Sequence, residues 1–186
     1  MKSSQIYFFI LIVFCLGHFS CRDVEPEMST PPEFITTLIY TLTPVNGGDP
    51  VILTYRDLDG DGGDAPIVTS GALAANLRYS GSVRLLDESV LPAIDVTLEI
   101  DEEGDDHQFF FSSNITGLSV SYADTDDNGN RFGLLSNLTT NNAGNGTLMV
   151  TLIHEPEKFA ASVSNGDVTN AGGQIDIAAK FDIVVQ

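Results

Sequence analysis

The stretch "IDIAAKFDIVV", residues 175–185, decides the fold, because apolar and polar side chains alternate along most of it. One side of the stretch carries Ile175, Ile177, Ala179, Phe181, Ile183 and Val185. Successive side chains of a β-strand point to opposite faces of the sheet, so a period of two indicates a strand with one buried face. The C-terminus is therefore predicted to form a half-buried strand.

The same alternation recurs in four other stretches: 78–85, 94–101, 118–122 and 147–153. It is most regular in "IDVTLEID", residues 94–101. Segments rich in Gly, Asn and Asp, such as "PVNGGDP" and "DTDDNGN", separate the stretches as turns would. No stretch has a convincing helical period of useful length. The sequence therefore predicts an all-β protein, an antiparallel Ig-like or Greek-key β-sandwich.

A short motif supports this fold class. "LAANLRY", residues 73–79, resembles the tyrosine corner of fibronectin type III-like and immunoglobulin-like domains. In such a corner the tyrosine leads into a strand and its hydroxyl bonds back to the backbone a few residues upstream. The resemblance implies this role for Tyr79.

The chain also contains an internal repeat. "SYADTDDNGN", residues 121–130, matches "TYRDLDGDGG", residues 54–63, at an offset of 67, and Glu88 and Glu155 keep the same offset. The pattern predicts a duplication, with pseudo-repeats at about 34–101 and 107–186. Two units of about four strands are expected to face each other in one sandwich of about eight strands. Two very small separate domains are the alternative.

The two repeated loops match the first half of a calcium-binding pattern. D-x-[DN]-x-[DN]-G places oxygen ligands on alternate residues, and a backbone carbonyl follows at position seven. Loop one (residues 57–66) and loop two (residues 123–134) supply these candidates: Asp57, Asp59, Asp61 and Gly63, then Asp124, Asp126, Asn128 and Asn130. The glutamate expected at position twelve is missing, so Glu88 and Glu155 are predicted to complete weak, structural calcium sites. Ordinary Asp- and Gly-rich turns are the alternative.

Two histidines offer a different site. His107 and His154 could ligate haem or a transition metal. The sequence lacks a G-x-S-x-G nucleophile elbow, a Walker loop and a reactive cysteine, and we therefore expect a non-enzymatic protein.

The N-terminus resembles an export signal. Met1 and Lys2 precede "IYFFILIVFCLG", an apolar run too short to span a bilayer. The following "LGHFSC" resembles a lipoprotein signal, so residues 1–20 are predicted to be removed and Cys21 to carry lipid. Simple secretion with cleavage near Ser20 is the alternative. Residues 21–33 are rich in Pro, Ser and acids, which predicts a flexible tether before a domain at 34–186.

The charge limits the partners. Eight basic residues against 26 acidic ones give a formal net charge of −18. Such a protein repels nucleic acid and anionic lipid surfaces and attracts cations. We therefore expect no nucleic-acid partner.

With "ITTLIYTLTP", "LTYRDLDGDGGDAP" and "DVTNAGGQIDI", the chain resembles a family of small flavobacterial (Bacteroidota) outer-membrane lipoproteins of unknown function. Such proteins are often labelled "type 1 periplasmic binding fold", which implies an α/β fold that the strand periodicity argues against. The resemblance implies an outer-membrane lipoprotein, facing the periplasm or the cell surface. We expect a binding or accessory protein with calcium-stabilised loops, beside an outer-membrane receptor or surface protein. The alternative is a haem or metal-ion capture lipoprotein serving a TonB-dependent receptor.

Overall fold

A computed structural model describes residues 34–60 and 62–186, which belong to one compact unit. These residues form eleven strands in two packed sheets. The large sheet contains, in spatial order, β3 (Ile67–Thr69), β2 (Val51–Arg56), β1 (Thr37–Pro44), β5 (Arg78–Asp87), β9 (Leu135–Thr140) and β8 (Leu118–Tyr122), and β6 (Ile94–Asp95) pairs with the end of β5. The small sheet contains β4 (Ala72–Leu73), β11 (Gln174–Val185), β10 (Gly144–His154) and β7 (His107–Ser113). The prediction of an all-β sandwich is confirmed.

All strand pairs are antiparallel except β4 with β11, which is parallel. The only α-helix of the described residues is α1 (Thr97–Glu102), and a 3-10 turn covers Val163–Asn165. Within the ranges 34–60 and 62–186, none of the helices has the length and apolar character needed to span a membrane. The predictions for residues 1–20, 21–33 and Cys21 lie outside the described residues.

The core lies between the two sheets and is built from alternate positions of their long strands. Its largest fully buried side chains include Tyr40 of β1, Tyr79 of β5, Phe109 of β7 and Phe181 of β11. The predicted buried face of β11 holds from Ile177 onward. A β-bulge opposite Leu152 and Ile153 inserts an extra residue before that point and changes the phase of the strand.

Both buried tyrosines have hydrogen-bond partners. Tyr40 Oη lies 2.7 Å from Ser136 Oγ, and burial raises the pKa of Tyr40 to about 12 although that hydrogen bond lowers it. The phenol therefore stays neutral in the core. The backbone N–H of Ala74 donates to Tyr79 Oη at 2.7 Å, which is the backbone tie that the tyrosine-corner motif predicts.

The strand prediction for residues 94–101 is wrong beyond its first two residues, because the segment turns into α1. Ile94 and Leu98 are exposed, whereas Val96 and Ile100 are buried. Residues four apart lie on one face of a helix, so the same apolar alternation also fits a single helical turn. The hydroxyl of Thr97 accepts the N–H of Leu85 at 2.9 Å, and the segment leaves the sheet there.

The expected division of the two pseudo-repeats between the two sheets is also wrong. Strands β8 and β9 from the second half lie in the large sheet, and β4 from the first half lies in the small sheet. Loop one nevertheless joins the antiparallel neighbours β2 and β3, and loop two joins the antiparallel neighbours β8 and β9. The two loops therefore have the same strand–loop–strand context without a repeated sheet. The predicted count of about eight strands is not confirmed, because the described residues form eleven strands, of which eight have five or more residues.

A second, smaller core covers the outer face of the small sheet. Residues 155–173, here called the strap, connect β10 to β11. Val163 and Ala171 of the strap pack against Phe110 of β7 and Ile153 of β10. The end of β10 is consequently buried on both faces, and the strap is fixed against the sandwich.

We expect Phe181→Ala to lower the free energy of unfolding by about 3–5 kcal/mol, because it leaves a cavity in the main core. Val184→Ala on the same strand is the matched control, since Val184 is 50% exposed and should lose less than about 1 kcal/mol. Urea unfolding followed by circular dichroism measures both values. Equal losses in the two variants would contradict the assignment of the buried face of β11.

Candidate functional site at the loop end

Most acidic residues gather at one end of the sandwich, here called the loop end. Strands β2, β5, β8 and β10 finish there, and β1, β7 and β11 begin there. Twenty of the 26 acidic residues in the chain belong to four segments that lie at this end. They are 57–66 with four, 87–106 with nine, 123–134 with three and 155–176 with four. The same segments contain two basic residues, Arg131 and Lys158. The loop end is therefore the most negatively charged part of the described domain.

Loop one is folded around its own aspartates. Asp57 Oδ1 accepts the backbone N–H of Gly60 at 3.0 Å, and Asp59 Oδ2 accepts that of Asp64 at 2.8 Å. Gly63 lies so close to the Asp59 carboxylate that a Cβ atom at this position would overlap it. Asp61 lies outside the described residues. The described part of loop one thus holds its carboxylates by local hydrogen bonds.

A cleft of about 400 Å³ lies beside loop one. Asp57 and Gly60 line one side of it, and Asp176 of β11 lines another. The Asp176 side chain has no solvent exposure. Two carboxylates that are far apart in the sequence therefore border the same cleft. The sequence did not predict this proximity, because the bulge that turns Asp176 inward has no recognisable sequence pattern.

The structure places Glu88 at the base of loop one. Its Oε2 accepts hydrogen bonds from Thr37 Oγ1 and from Arg56 Nε, both at 2.6 Å. These bonds hold the pKa of Glu88 below its usual value. Thr36 connects the two segments, since its hydroxyl accepts the N–H of Glu88 and its carbonyl accepts that of Asp57. The carboxylate is close to loop one, but it is already bound to a guanidinium.

Loop two uses its first aspartate to fix its own shape. Asp124 accepts the backbone N–H groups of Gly133 and Leu135 at 2.7 and 2.5 Å. Burial raises the pKa of Asp124, and these two N–H groups oppose the rise. Asp124 therefore ties the start of loop two to its end, where β9 begins.

The second aspartate of loop two binds an ammonium group from the strap. Lys158 is 4% exposed, and its Nζ donates to Asp126 Oδ2 at 2.7 Å and to the carbonyl oxygen of Gly104. Asn130 donates to Asp126 through both its backbone N–H and its side-chain amide. Burial raises the pKa of Asp126, but the bonds from Lys158 and Asn130 together hold it below its usual value. A carboxylate and a carbonyl oxygen thus surround an internal cation.

Glu155 comes to the mouth of loop two. It has a positive φ of 52°, and its N–H donates to the carbonyl of Asp106. Glu155, Asn128 and Asn130 line one cleft of about 280 Å³. Within the described ranges, no group of three or more His, Cys, Asp or Glu side chains is placed to hold a metal ion. The structure brings Asn128, Asn130 and Glu155 to one cleft, and it turns Asp124 toward Gly133 and Leu135 instead. Lys158, which the sequence did not single out, lines the same cleft.

The two histidines form a buried pair. His107 of β7 and His154 of β10 are direct cross-strand partners, and their rings stack with centroids 4.7 Å apart and an interplanar angle of 11°. His107 Nδ1 lies 3.0 Å from the Glu103 carbonyl, and its Nε2 lies 3.8 Å from Asp176 Oδ2. Both rings are buried at the loop end of the small sheet.

Comparisons of the chain with protein-family models, with curated proteins and with solved structures give no match.

We expect Lys158→Met to lower the free energy of unfolding by about 3–5 kcal/mol, because it leaves the Asp126 carboxylate buried without its cation. The double variant Lys158→Met/Asp126→Leu should recover most of that loss, since an apolar pair needs no counter-charge. Lys180→Met, at an exposed position of β11, is the control and should change little. Urea unfolding at neutral pH gives all values, and a double variant as unstable as the single one would show that the ion pair is not the cause.

The same pair predicts a dependence on pH. Because the pKa of Asp126 is lower in the folded state, its contribution is present above the unfolded value of about 3.9 and is lost as the pH falls through the folded value. We expect the stability of the natural chain to fall below about pH 4, and the fall to be smaller in Lys158→Met/Asp126→Leu. Equal acid sensitivity of the two proteins, measured by thermal melts from pH 6 to pH 2, would contradict this role of Asp126.

Proposed function

We propose that this protein is a non-enzymatic binding or accessory protein of the outer membrane, anchored by lipid on Cys21. The observation that supports it is the gathering of the long acidic segments at one end of a rigid sandwich. Loops that a rigid scaffold holds at one end are where β-sandwich proteins place their binding residues. The turns at the opposite end, such as residues 45–50 and 141–143, are short.

We further propose that calcium stabilises loop one. Its aspartates lie in a strongly negative region, and the nearest arginine, Arg56, is bound to Glu88. Asp57 and Gly60 border the same cleft as the buried Asp176, so oxygen atoms from two parts of the chain line it. Sites of this kind in extracellular modules bind calcium with dissociation constants of about 10⁻⁴–10⁻³ M.

Loop two is the weaker calcium candidate of the two. Asp126 already binds the ammonium of Lys158, and both oxygens of Asp124 accept backbone N–H groups. A calcium ion there would have to displace a buried lysine, which costs the ion pair that fixes the strap.

The alternative function is capture of haem or a metal ion by His107 and His154. A porphyrin needs an open face at its axial ligand, and both rings of the stacked pair are buried. That burial supports the binding-protein proposal over capture of haem.

Calcium at tenfold excess over its dissociation constant should stabilise the chain by about 1.4 kcal/mol, a shift of about 3–5 °C in the melting temperature. Asp57→Asn/Asp59→Asn should abolish the shift, because it removes two carboxylate charges from loop one. Asp182→Asn, an exposed acid of β11, is the matched control and should keep the shift. A calcium shift of the same size in the loop-one variant would contradict the assignment.

Lipidation should depend on Cys21. In the bacterium that makes the chain, an alkyne analogue of palmitate should label the natural protein and leave Cys21→Ala unlabelled, and the variant should leave the membrane fraction. Cys15→Ala is the control, since Cys15 lies in the predicted signal. A natural protein that is unlabelled and found in the medium would favour simple secretion.

A further inference from the structure

Four large apolar side chains are exposed within nine residues at the loop end. Leu91 is 96% exposed, Leu98 68%, Ile94 52% and Val90 42%. Here they are called the Leu91 surface. None of them belongs to either hydrophobic core of the described residues. Exposed apolar side chains that lie close together on a protein surface mark a contact surface, because folding alone leaves their area in water.

The backbone around the Leu91 surface is held in place. Ile94 lies on β6, which pairs with the end of β5, and Leu98 lies on α1. Val96 and Ile100 anchor this segment in the main core, and Asp95 binds Arg84 at 2.7 Å. Ile94 and Leu98 are therefore presented on a fixed backbone, and Val90 and Leu91 precede them on the connection from β5 to β6.

Acidic residues flank the Leu91 surface on both sides along the chain. Asp87 precedes it, and Glu99, Asp101 and Glu102 follow Leu98 on or beside α1. We propose that the Leu91 surface docks a partner protein that presents apolar side chains surrounded by Lys and Arg. Charge complementarity carries this choice, because the acidic rim repels anionic lipid and a second copy of the same acidic end.

The position of the first strand relative to the N-terminal tether indicates where this partner lies. This inference rests on the proposed lipid anchor at Cys21. Strand β1 begins at the loop end, since Thr37 pairs with both Arg56 and Leu86. Thirteen peptide steps join Cys21 to Phe34, and a chain of that length spans at most about 45 Å. An anchored chain thus keeps the loop end near the membrane, so the partner is an outer-membrane protein with a basic, membrane-proximal surface.

Photo-crosslinking tests this proposal in the intact lipoprotein. Benzoylphenylalanine replaces Leu98 in the bacterium that makes the chain, and the control carries it at Ile52, which is 50% exposed on β2. We expect a discrete protein adduct from position 98 and not from position 52. The adduct should disappear when membranes are irradiated in about 0.5 M NaCl, where the Debye length falls to about 4 Å. The crosslinked segment of the partner should carry a net positive charge.

Leu91→Ser added to the position-98 protein should reduce the adduct at least fivefold without changing the melting temperature, since Leu91 is almost fully exposed. The proposal would be overturned by a lipid adduct, by a homodimer or by the absence of any adduct. An adduct of equal strength from both positions, or one that salt does not weaken, would overturn it as well. Adding purified Cys21→Ala chain to membranes separates the two proposals. An adduct from this unlipidated chain supports docking by the Leu91 surface even if the natural chain proves not to carry lipid. If the natural chain carries lipid but gives no adduct from position 98, docking by the Leu91 surface is rejected and the lipid anchor stands.

Discussion

The packing of the small sheet against the large sheet is the constraint on which the rest of the structure depends. Alternate side chains of β10 and β11 meet those of β1 and β5, and Phe181, Leu148, Tyr40 and Leu85 are buried almost completely. This packing places one end of each of seven strands at the loop end of the sandwich. The acidic connecting segments therefore come together although they are far apart in the sequence. The carboxylates concentrated there repel one another, so the loop end is stable only where bound cations or hydrogen-bond donors offset that repulsion.

The two repeated loops offset their charge in different ways. Loop two contains an ammonium group, because the strap carries Lys158 into contact with Asp126 and the Gly104 carbonyl. In the described part of loop one no lysine is bound to Asp57 or Asp59, and Arg56, which directly precedes the loop, pairs with Glu88 at its base. The Arg56–Glu88 pair is partly exposed and contributes at most about 1 kcal/mol. We infer that an external cation takes at loop one the place that Lys158 takes at loop two.

The sequence predicted the features that depend on local pattern and missed those that depend on distant contacts. Alternation located β5, β8, β10 and β11, and the tyrosine corner located the bond from Ala74 to Tyr79. The pattern of residues 94–101 fits both a strand and a helical turn, because a period of two also places Val96 and Ile100 one helical turn apart. The roles of Lys158 and Asp176 could not be read from the sequence. The first depends on how the strap folds over the small sheet, and the second depends on a bulge in β11. A lone lysine among so many acids was nevertheless a signal that could have been used.

Anomalous diffraction from crystals soaked in terbium(III), a calcium substitute, tests the central claim most directly, since it locates a bound cation at either loop independently of stability. The account predicts one peak bordered by Asp57 and Asp59 at loop one. It also predicts that Lys158 stays bound to Asp126 at loop two in the same crystal. A peak at loop two with Lys158 displaced, or no peak at loop one, would contradict it.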